Sequence, residues 1–271
     1  MLRELAYAKL NLVLHVGPRR DDGMHPICSI VASIDLADEV RAEPKDSGED
    51  TVECVGVSGD NLAARALAEF RSRAGGALPP LAVTIEKRIP VAAGLGGGSA
   101  DAAATLRIAN RLAERPLGAE ELLRLAAGLG SDVPSQLEPR HALVHGTGER
   151  IESLTLPALS AVLIPDEDGL STGTVYAELD RLDGARQQLD AAHLRELAGR
   201  DPATALHNDL QPAALSLRPD LQERLDALLA AGALGAAVSG SGPTCFGLFA
   251  DREAAERAAE QLPGALVTAL R

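Results

Sequence analysis

The densest chemical signal in the chain is PVAAGLGGGSAD, residues 90–101. Gly94, Gly96, Gly97 and Gly98 leave the backbone free to take positive φ and let amide groups approach an anion closely. Ser99 is placed to cap a following helix, whose N-terminus carries partial positive charge. The run Pro90, Val91, Ala92, Ala93, Gly94, Leu95, Gly96, Gly97, Gly98, Ser99, Ala100 therefore reads as a phosphate cradle. It is not a Walker A loop, because no Gly-Lys-Ser/Thr follows. It is not a dinucleotide fingerprint either, because the third glycine would fall on Ser99. A flexible connector is the plain alternative, and the glycine density against a helix start favours the cradle.

Three further segments could do chemistry. In GSDVP, residues 130–134, Asp132 is either a helix cap or a carboxylate placed to take a proton from a hydroxyl; alone, the cap is the simpler reading. In VSGSGPT, residues 238–244, Gly240 and Ser241 either reverse the chain or bring amides to a ligand. Lys9 and Asn11, two residues apart on a candidate strand, share the face opposite its apolar row. A strand lysine is often only solvated. This chain, however, carries three lysines, Lys9, Lys45 and Lys87, against 23 arginines, so a retained ammonium invites a chemical reason. His141 and His145 lack an evident third partner and do not make a metal site.

The elements that must position these residues follow from periodicity. Residues 5–16 alternate as a strand, with Arg19–Gly23 a polar turn after it. Residues 27–36, 39–43, 51–57 and 81–89 read as further strands. Residues 61–74 have helical spacing with Asp60 or Asn61 as cap. Helices are expected over 99–112 and 119–129, and short strands over 142–144 and 150–154. After a soft boundary near 155 come a strand at 161–165, helices at 174–182, 191–197 and 219–231, strands at 236–239 and 245–249, a helix at 252–262 and a strand at 265–270. This mixed order without regular βαβ repetition indicates an α+β fold.

Composition removes several function classes. The chain has 271 residues and a net charge of −13, and aromatics are 2% of it. Phosphate neutralisation and base stacking both lack their residues, so nucleic acid is not the expected partner. Apolar runs fall short of the roughly 20 residues that span a bilayer, and residues 1–16 read as a strand, not a signal peptide. Cys28, Cys54 and Cys245 are odd in number and scattered, which suits reduced thiols in a cytoplasm.

Taken together, the segments resemble the galactokinase–homoserine kinase–mevalonate kinase–phosphomevalonate kinase superfamily. The similarity is greatest to its branch acting on a cytidine diphosphate-linked methylerythritol in non-mevalonate isoprenoid synthesis. Residues 8–14 (AKLNLVL) resemble the first motif, 22–25 (DGMH) a DGYH, 90–100 the nucleotide loop, 130–134 a GADVP, 208–211 (NDLQ) an NDLE, and 239–242 the last glycine motif. The set runs in order along the whole chain.

The resemblance implies a two-lobed small-molecule kinase fold with the active site in the cleft between lobes. It gives residues 1–154 as the nucleotide-binding domain and 155–271 as the C-terminal domain. It implies transfer of the γ-phosphoryl of ATP, with Mg2+, to the 2-hydroxyl of the polyol. Asp132 would receive the hydroxyl proton, and Lys9 would keep Asp132 ionised and stabilise transferring charge. The glycine loop would hold the ATP phosphates, with Ser99 a magnesium contact. Asn11, Met24, His25, Tyr176, Gly240 and Ser241 would join Asp132 in binding the substrate. The cytosine would lie between Tyr176 and the residue at 24, and His25 would read its edge through a ring nitrogen. Met24 stands where the family has Tyr, Pro26 where a polar residue is common, Ser131 for Ala and Gln211 for Glu. A monomer or weak homodimer is expected. The alternatives are another small-alcohol kinase of the superfamily, against which DGMH and GSDVP argue, and a non-catalytic nucleotide-binding protein, against which Lys9 and Asp132 argue.

Overall fold

A computed structural model describes residues 1–55, 61–74, 78–166, 168–199 and 203–271. The order of elements is β1 (Leu2–Val16), β2 (Ile27–Pro44), β3 (Thr51–Cys54), α1 (Leu62–Ala74), β4 (Leu81–Glu86), α2 (Gly97–Leu112), α3 (Ala119–Leu129), α4 (Val133–Gln136), β5 (Ala142–Gly146), β6 (Arg150–Ser153), β7 (Ser160–Ile164), α5 (Thr172–Arg181), α6 (Ala191–Ala198), β8 (His207–Asn208), α7 (Gln211–Leu217), α8 (Leu221–Ala230), β9 (Gly235–Val238), β10 (Cys245–Phe249), α9 (Arg252–Ala259) and β11 (Leu266–Ala269).

The chain forms two compact units, each assembled from separate stretches. The first comprises Met1–Ala8, Leu36–Ile89 and Gly96–Pro139; the second comprises Lys9–Asp35, Pro90–Leu95 and Arg140–Arg271. The expected boundary near 155 falls inside the last of these stretches. Both β1 and β2 begin in the residues of one unit and end in those of the other, which no single cut in the sequence expresses.

In the first unit, β4 lies antiparallel to the end of β2, from Glu39↔Glu86 to Pro44↔Leu81, and β3 lies parallel to β4. Leu81, Val83 and Ile85 of β4 are buried, while Thr84 and Glu86 are exposed, the period-two signature of a half-covered sheet. The core is aliphatic, with Phe70 its one ring, and α2 brings Ala100, Ala102, Ala103 and Ala104 into it. Such small side chains let α1 and α2 approach closely.

In the second unit, β7 and β10 centre a four-stranded antiparallel sheet of order β11-β7-β10-β9. β5 lies antiparallel to the start of β2 and forms a hairpin with β6. β8 pairs parallel with β1 through Val13↔His207 and Leu14↔Asn208. Leu14, Val16, Val175, Leu228, Val238 and Phe249 belong to one buried cluster there.

The expected strands 27–36 and 39–43 are one strand, since Leu36–Asp38 continue the ladder. The expected strand 51–57 ends at Cys54, with Val55 in a turn and Val57 outside the described residues. Asn61 caps α1, accepting from the Ala63 amide at 2.9 Å; Asp60 lies outside the described residues. Helices α4 and α7 and strand β8 were not expected, because four, seven and two residues are too short to show a period.

Candidate active site

The glycine loop is the chain's turn from β4 into α2, and its two halves are held differently. Gly96 takes φ 72° and caps α2, whose first residue is Gly97. The first intrahelical bond from this end is the Ala100 amide to the Gly96 carbonyl, 2.9 Å. The amides of Gly97, Gly98 and Ser99 precede it and have no acceptor within the helix, which is the requirement for an anion cradle. Ser99 is therefore the third helical residue and not the cap expected from the sequence. Positive φ occurs at Ala92 (54°), Gly94 (75°) and Gly96 (72°) but not at Gly97 or Gly98. Gly97 is small for a different reason: a Cβ there would lie 3.0 Å from Ile89 Cγ2 and 3.3 Å from Lys87 Nζ. At Gly98 a Cβ would meet nothing within 4 Å.

A buried ion cluster in the first unit clamps both flanks of this loop. Asp38 on β2 accepts through Oδ1 from the amides of Arg88 (2.6 Å) and Ile89 (2.8 Å), which fixes the chain before Pro90. Lys87 donates to Asp38 and, at 2.7 Å, to Asp101 Oδ2 on the second turn of α2. Burial pushes the Asp101 carboxyl up to about 7, with Lys87 opposing the shift and Asp38 adding to it. Burial works against the Lys87 ammonium, but the two carboxylates outweigh it and raise its pKa. Lys87 belongs to the small lysine set, yet spacing alone gave no hint of its two partners, 49 and 14 residues away.

In the second unit, Pro90–Leu95 is interlocked with the turn after β9. A Cβ on Gly94 would overlap the Ser239 carbonyl oxygen and lie 2.9 Å from that of Gly242. Ser239 Oγ donates to the Gly94 carbonyl at 2.9 Å, and the Lys9 amide donates to the Leu95 carbonyl at 3.0 Å. Lys9 is 5% exposed. Its Nζ donates to Asn11 Oδ1 at 2.5 Å, Asn11 Nδ2 to Ser29 Oγ at 2.9 Å, and Ser29 Oγ to the Val13 carbonyl at 2.7 Å. Gly240, with φ 57°, completes the group: a Cβ there would lie 3.2 Å from Lys9 Nζ and 3.3 Å from Asn11 Oδ1. Lys9, Asn11, Gly94 and Gly240 thus lie together in the second unit.

Asn208 was singled out only as part of NDLQ, and the structure gives it a task. Its Nδ2 donates to the carbonyls of Val238 (2.8 Å) and Gly240 (2.7 Å), and its Oδ1 accepts from the Leu210 amide. Gln211 Oε1 accepts from the Val238 amide at 2.9 Å. Ser241 Oγ lies 3.0 Å from Thr172 Oγ1, linking the glycine turn to the start of α5.

The same helix carries Tyr176, whose ring centroid is 5.1 Å from that of His25, tilted by 42°. His25 Nδ1 lies 2.9 Å from the Gly17 carbonyl. A carbonyl only accepts, so this nitrogen donates. Nε2 is 3.3 Å from Asp180 Oδ1, also on α5. Met24 is 47% exposed at the tip of the turn before β2.

In the first unit Asp132 occupies the position before α4, and its side chain makes no cap hydrogen bond to that helix, so capping does not account for its carboxylate. Among the described residues no group of three or more His, Cys, Asp or Glu could hold a metal ion. No described helix is long and apolar enough to cross a membrane.

The model of the GHMP kinases N-terminal domain matches residues 61–138, and that of the GHMP kinases C-terminal domain matches 173–268. The chain belongs to the GHMP kinase family. It is accordingly an ATP-dependent small-molecule kinase with an α+β fold. Among curated members, a 4-diphosphocytidyl-2-C-methyl-D-erythritol kinase of Rhodococcus jostii is 44% identical over 96% of this chain and 88% of its own. One from Brucella melitensis is 38% identical over 96% and 90%. A crystal structure of 4-(cytidine 5'-diphospho)-2C-methyl-D-erythritol kinase superposes with TM-score 0.83 at 35% identity, covering 99% of this chain and 98% of that one. A homoserine kinase from Cytophaga hutchinsonii shares the fold at 19% identity, with TM-score 0.75 over 100% of this chain and 94% of its own.

Proposed function

We propose that this GHMP kinase transfers the γ-phosphoryl group of ATP to the 2-hydroxyl of 4-diphosphocytidyl-2-C-methyl-D-erythritol. The observation that carries the reading is the near full-length match, at 38–44% identity, to curated kinases of that substrate. It is supported by the second unit's geometry, where a buried Lys9–Asn11 pair lies against the Gly240 turn.

In the reaction, the polyol oxygen forms a bond to the γ-phosphorus as the bond from that phosphorus to the β,γ-bridging oxygen breaks. ADP leaves with the electron pair, and the hydroxyl proton passes to Asp132. Little covalent work falls to the protein; positioning and charge stabilisation do most of it. The free amides of Gly97–Ser99 bind phosphate oxygens. Lys9 stabilises charge on the transferring group. Asn11, oriented by Ser29, hydrogen-bonds the polyol. Cytosine stacks on Tyr176 with Met24 on its other side, and His25 Nε2 meets the base edge.

Magnesium suits this donor set: it keeps waters and substrate phosphates as ligands and needs one or two protein oxygens, not a cage. Ser99 Oγ, in the first turn of α2, is the hydroxyl that would contact it, and its chemistry there is neutralising phosphate charge. We place the activity in the cytoplasm, in a monomer or weak homodimer, with ATP and the cytidine-linked polyol as partners.

The test is transfer of label from γ-labelled ATP to the cytidine-linked polyol, with mevalonate and homoserine offered in parallel. Label on the cytidine substrate alone is expected. Preferred labelling of either other alcohol would reassign the substrate and favour a different small-alcohol kinase.

A further inference from the structure

Helix α4 has four residues, Val133–Gln136, too few to be stable alone, and it follows directly from Asp132. Its internal bonding is sparse. The Val133 amide donates to the Gly130 carbonyl at 3.2 Å, the Leu137 amide to the Pro134 carbonyl at 3.2 Å, and Ser135 Oγ to the Asp132 carbonyl at 2.9 Å. Pro134 at its second position supplies no donor. Beside the burial of Val133, Pro134 and Gln136, a polar anchor comes from Arg107 on α2. Its Nη1 donates to the Gln136 carbonyl at 2.7 Å, its Nη2 to the Leu5 carbonyl on β1 at 2.9 Å, and its Nε to Glu4 Oε2 at 3.0 Å. Glu4 is itself held by Arg111, Nη1 to Oε1 at 2.5 Å. The Arg107 side chain is 17% exposed, so these bonds form largely out of water, where they are stronger.

We infer that Arg107 is a positioning residue for Asp132. It ties the far end of α4 to two elements that carry no catalytic group in this region, α2 and the start of β1. One guanidinium reaches three acceptors in two segments, β1 and α4, because its donors form a planar fork; a lysine ammonium on the same stem cannot match that geometry. The carbonyl it takes, at the helix's C-terminal end, has no acceptor role within so short a helix. Asp132 lies one helical turn from that carbonyl, so a shift of α4 moves the carboxylate directly. The inference rests on the reading of Asp132 as proton acceptor.

The test measures kcat and both KM values for Arg107→Met, Arg107→Ala, Arg107→Lys and Asp132→Asn, with thermal melting of each. A displacement of about 1 Å at a reacting group costs on the order of 100-fold in rate, so Arg107→Met is expected to lower kcat about that much. KM for ATP should stay within about threefold, because the cradle amides do not depend on α4. Added methylguanidinium should restore part of kcat in Arg107→Ala and none in Asp132→Asn. Should Arg107→Met fail to fold, Arg107→Lys decides, with a kcat loss of roughly tenfold expected from keeping one donor. Near-native kcat in Arg107→Lys and Arg107→Met with an inactive Asp132→Asn would overturn the positioning role alone. Full activity in Asp132→Asn would overturn the proton-acceptor reading and this inference with it. A parallel rise in KM for ATP would make Arg107 a general part of the fold, not a positioner of Asp132.

Discussion

Lys9 and Asp132 are assigned to one reaction but are held in place by opposite means. Lys9 sits within β1, a strand of fifteen residues, with its own amide bonded to Leu95 and its ammonium in a chain of side chains only two to eighteen residues apart. Asp132 opens a helix of four residues whose anchor comes from Arg107, on another helix. One position is built into a long strand, and the other depends on a side chain from another helix. Local periodicity can foretell the first kind; only the folded structure displays the second.

The largest effects should come from the two residues themselves. Asp132→Asn keeps the shape and removes the base, so turnover should fall by orders of magnitude. Lys9→Met removes a preorganised charge, a loss of roughly 3 kcal/mol in the barrier or about 100-fold in rate. Its replacement also leaves the buried Asn11 Oδ1 without that donor, so stability should fall by about 1–3 kcal/mol. Steady-state kinetics and calorimetric melting decide both, and near-native turnover in either variant removes its assigned role.

The contrast explains what could be read in the sequence. The alternation along residues 5–16 located Lys9 and Asn11 on one face, and glycine density located the loop before α2. The Asp38–Lys87–Asp101 cluster, the Asn208 brace and Arg107 were not legible. Each joins residues far apart in the chain, and an arginine or aspartate that will be buried is written like one that will be solvated. The helix start was misjudged by two residues for a related reason. Ser99 looked like a cap because serine is a good one, but the structure uses Gly96 in the left-handed region instead.

A second pair of variants tests the same contrast inside one loop. Gly94 is constrained by another segment: its φ is 75°, and a Cβ would overlap the Ser239 carbonyl. Gly94→Ala should cost about 1–2 kcal/mol for the left-handed backbone alone, more for the overlap, and should lower ATP affinity tenfold or more by parting the two turns. Gly98 is constrained by nothing in the protein. Gly98→Ala should melt at the same temperature or higher, since alanine is favoured in a helix by up to about 1 kcal/mol. Its ATP affinity should fall only severalfold, through crowding of the phosphate oxygens. Equal behaviour of the two variants in nucleotide titrations would show that the loop is not divided in this way.

The pyrimidine side extends the comparison at lower cost. Tyr176 stands on α5 and packs against the second unit's core, with His25 beside it. Tyr176→Ala should weaken binding of the cytidine substrate by about 1–3 kcal/mol, the scale of stacking a base on an aromatic ring, and leave ATP affinity unchanged. Calorimetric titration with each ligand separates the two. An unaltered substrate affinity would mean that the base sits elsewhere.

Met24→Tyr should have the smallest effect, and its sign is the informative part. The turn that carries residue 24 is built by its own backbone: the Arg20 amide donates to the Met24 carbonyl at 2.9 Å, the Met24 amide to Asp22 Oδ1 at 3.0 Å, and Gly23 takes φ 82°. The residue is 47% exposed, so its replacement disturbs little packing. A thioether against an aromatic ring contributes about 0.3–1.5 kcal/mol, and a methionine must freeze three torsions to make that contact. A tyrosine freezes two and offers a larger face. Substrate affinity in Met24→Tyr should therefore tighten by a few tenths to about 1 kcal/mol, with kcat and ATP affinity unmoved, because the turn lies in a segment apart from Lys9, Asp132 and the glycine loop. Weaker binding in a variant that melts normally would mean that residue 24 does not cover the base, and that Tyr176 and His25 hold it from one side alone.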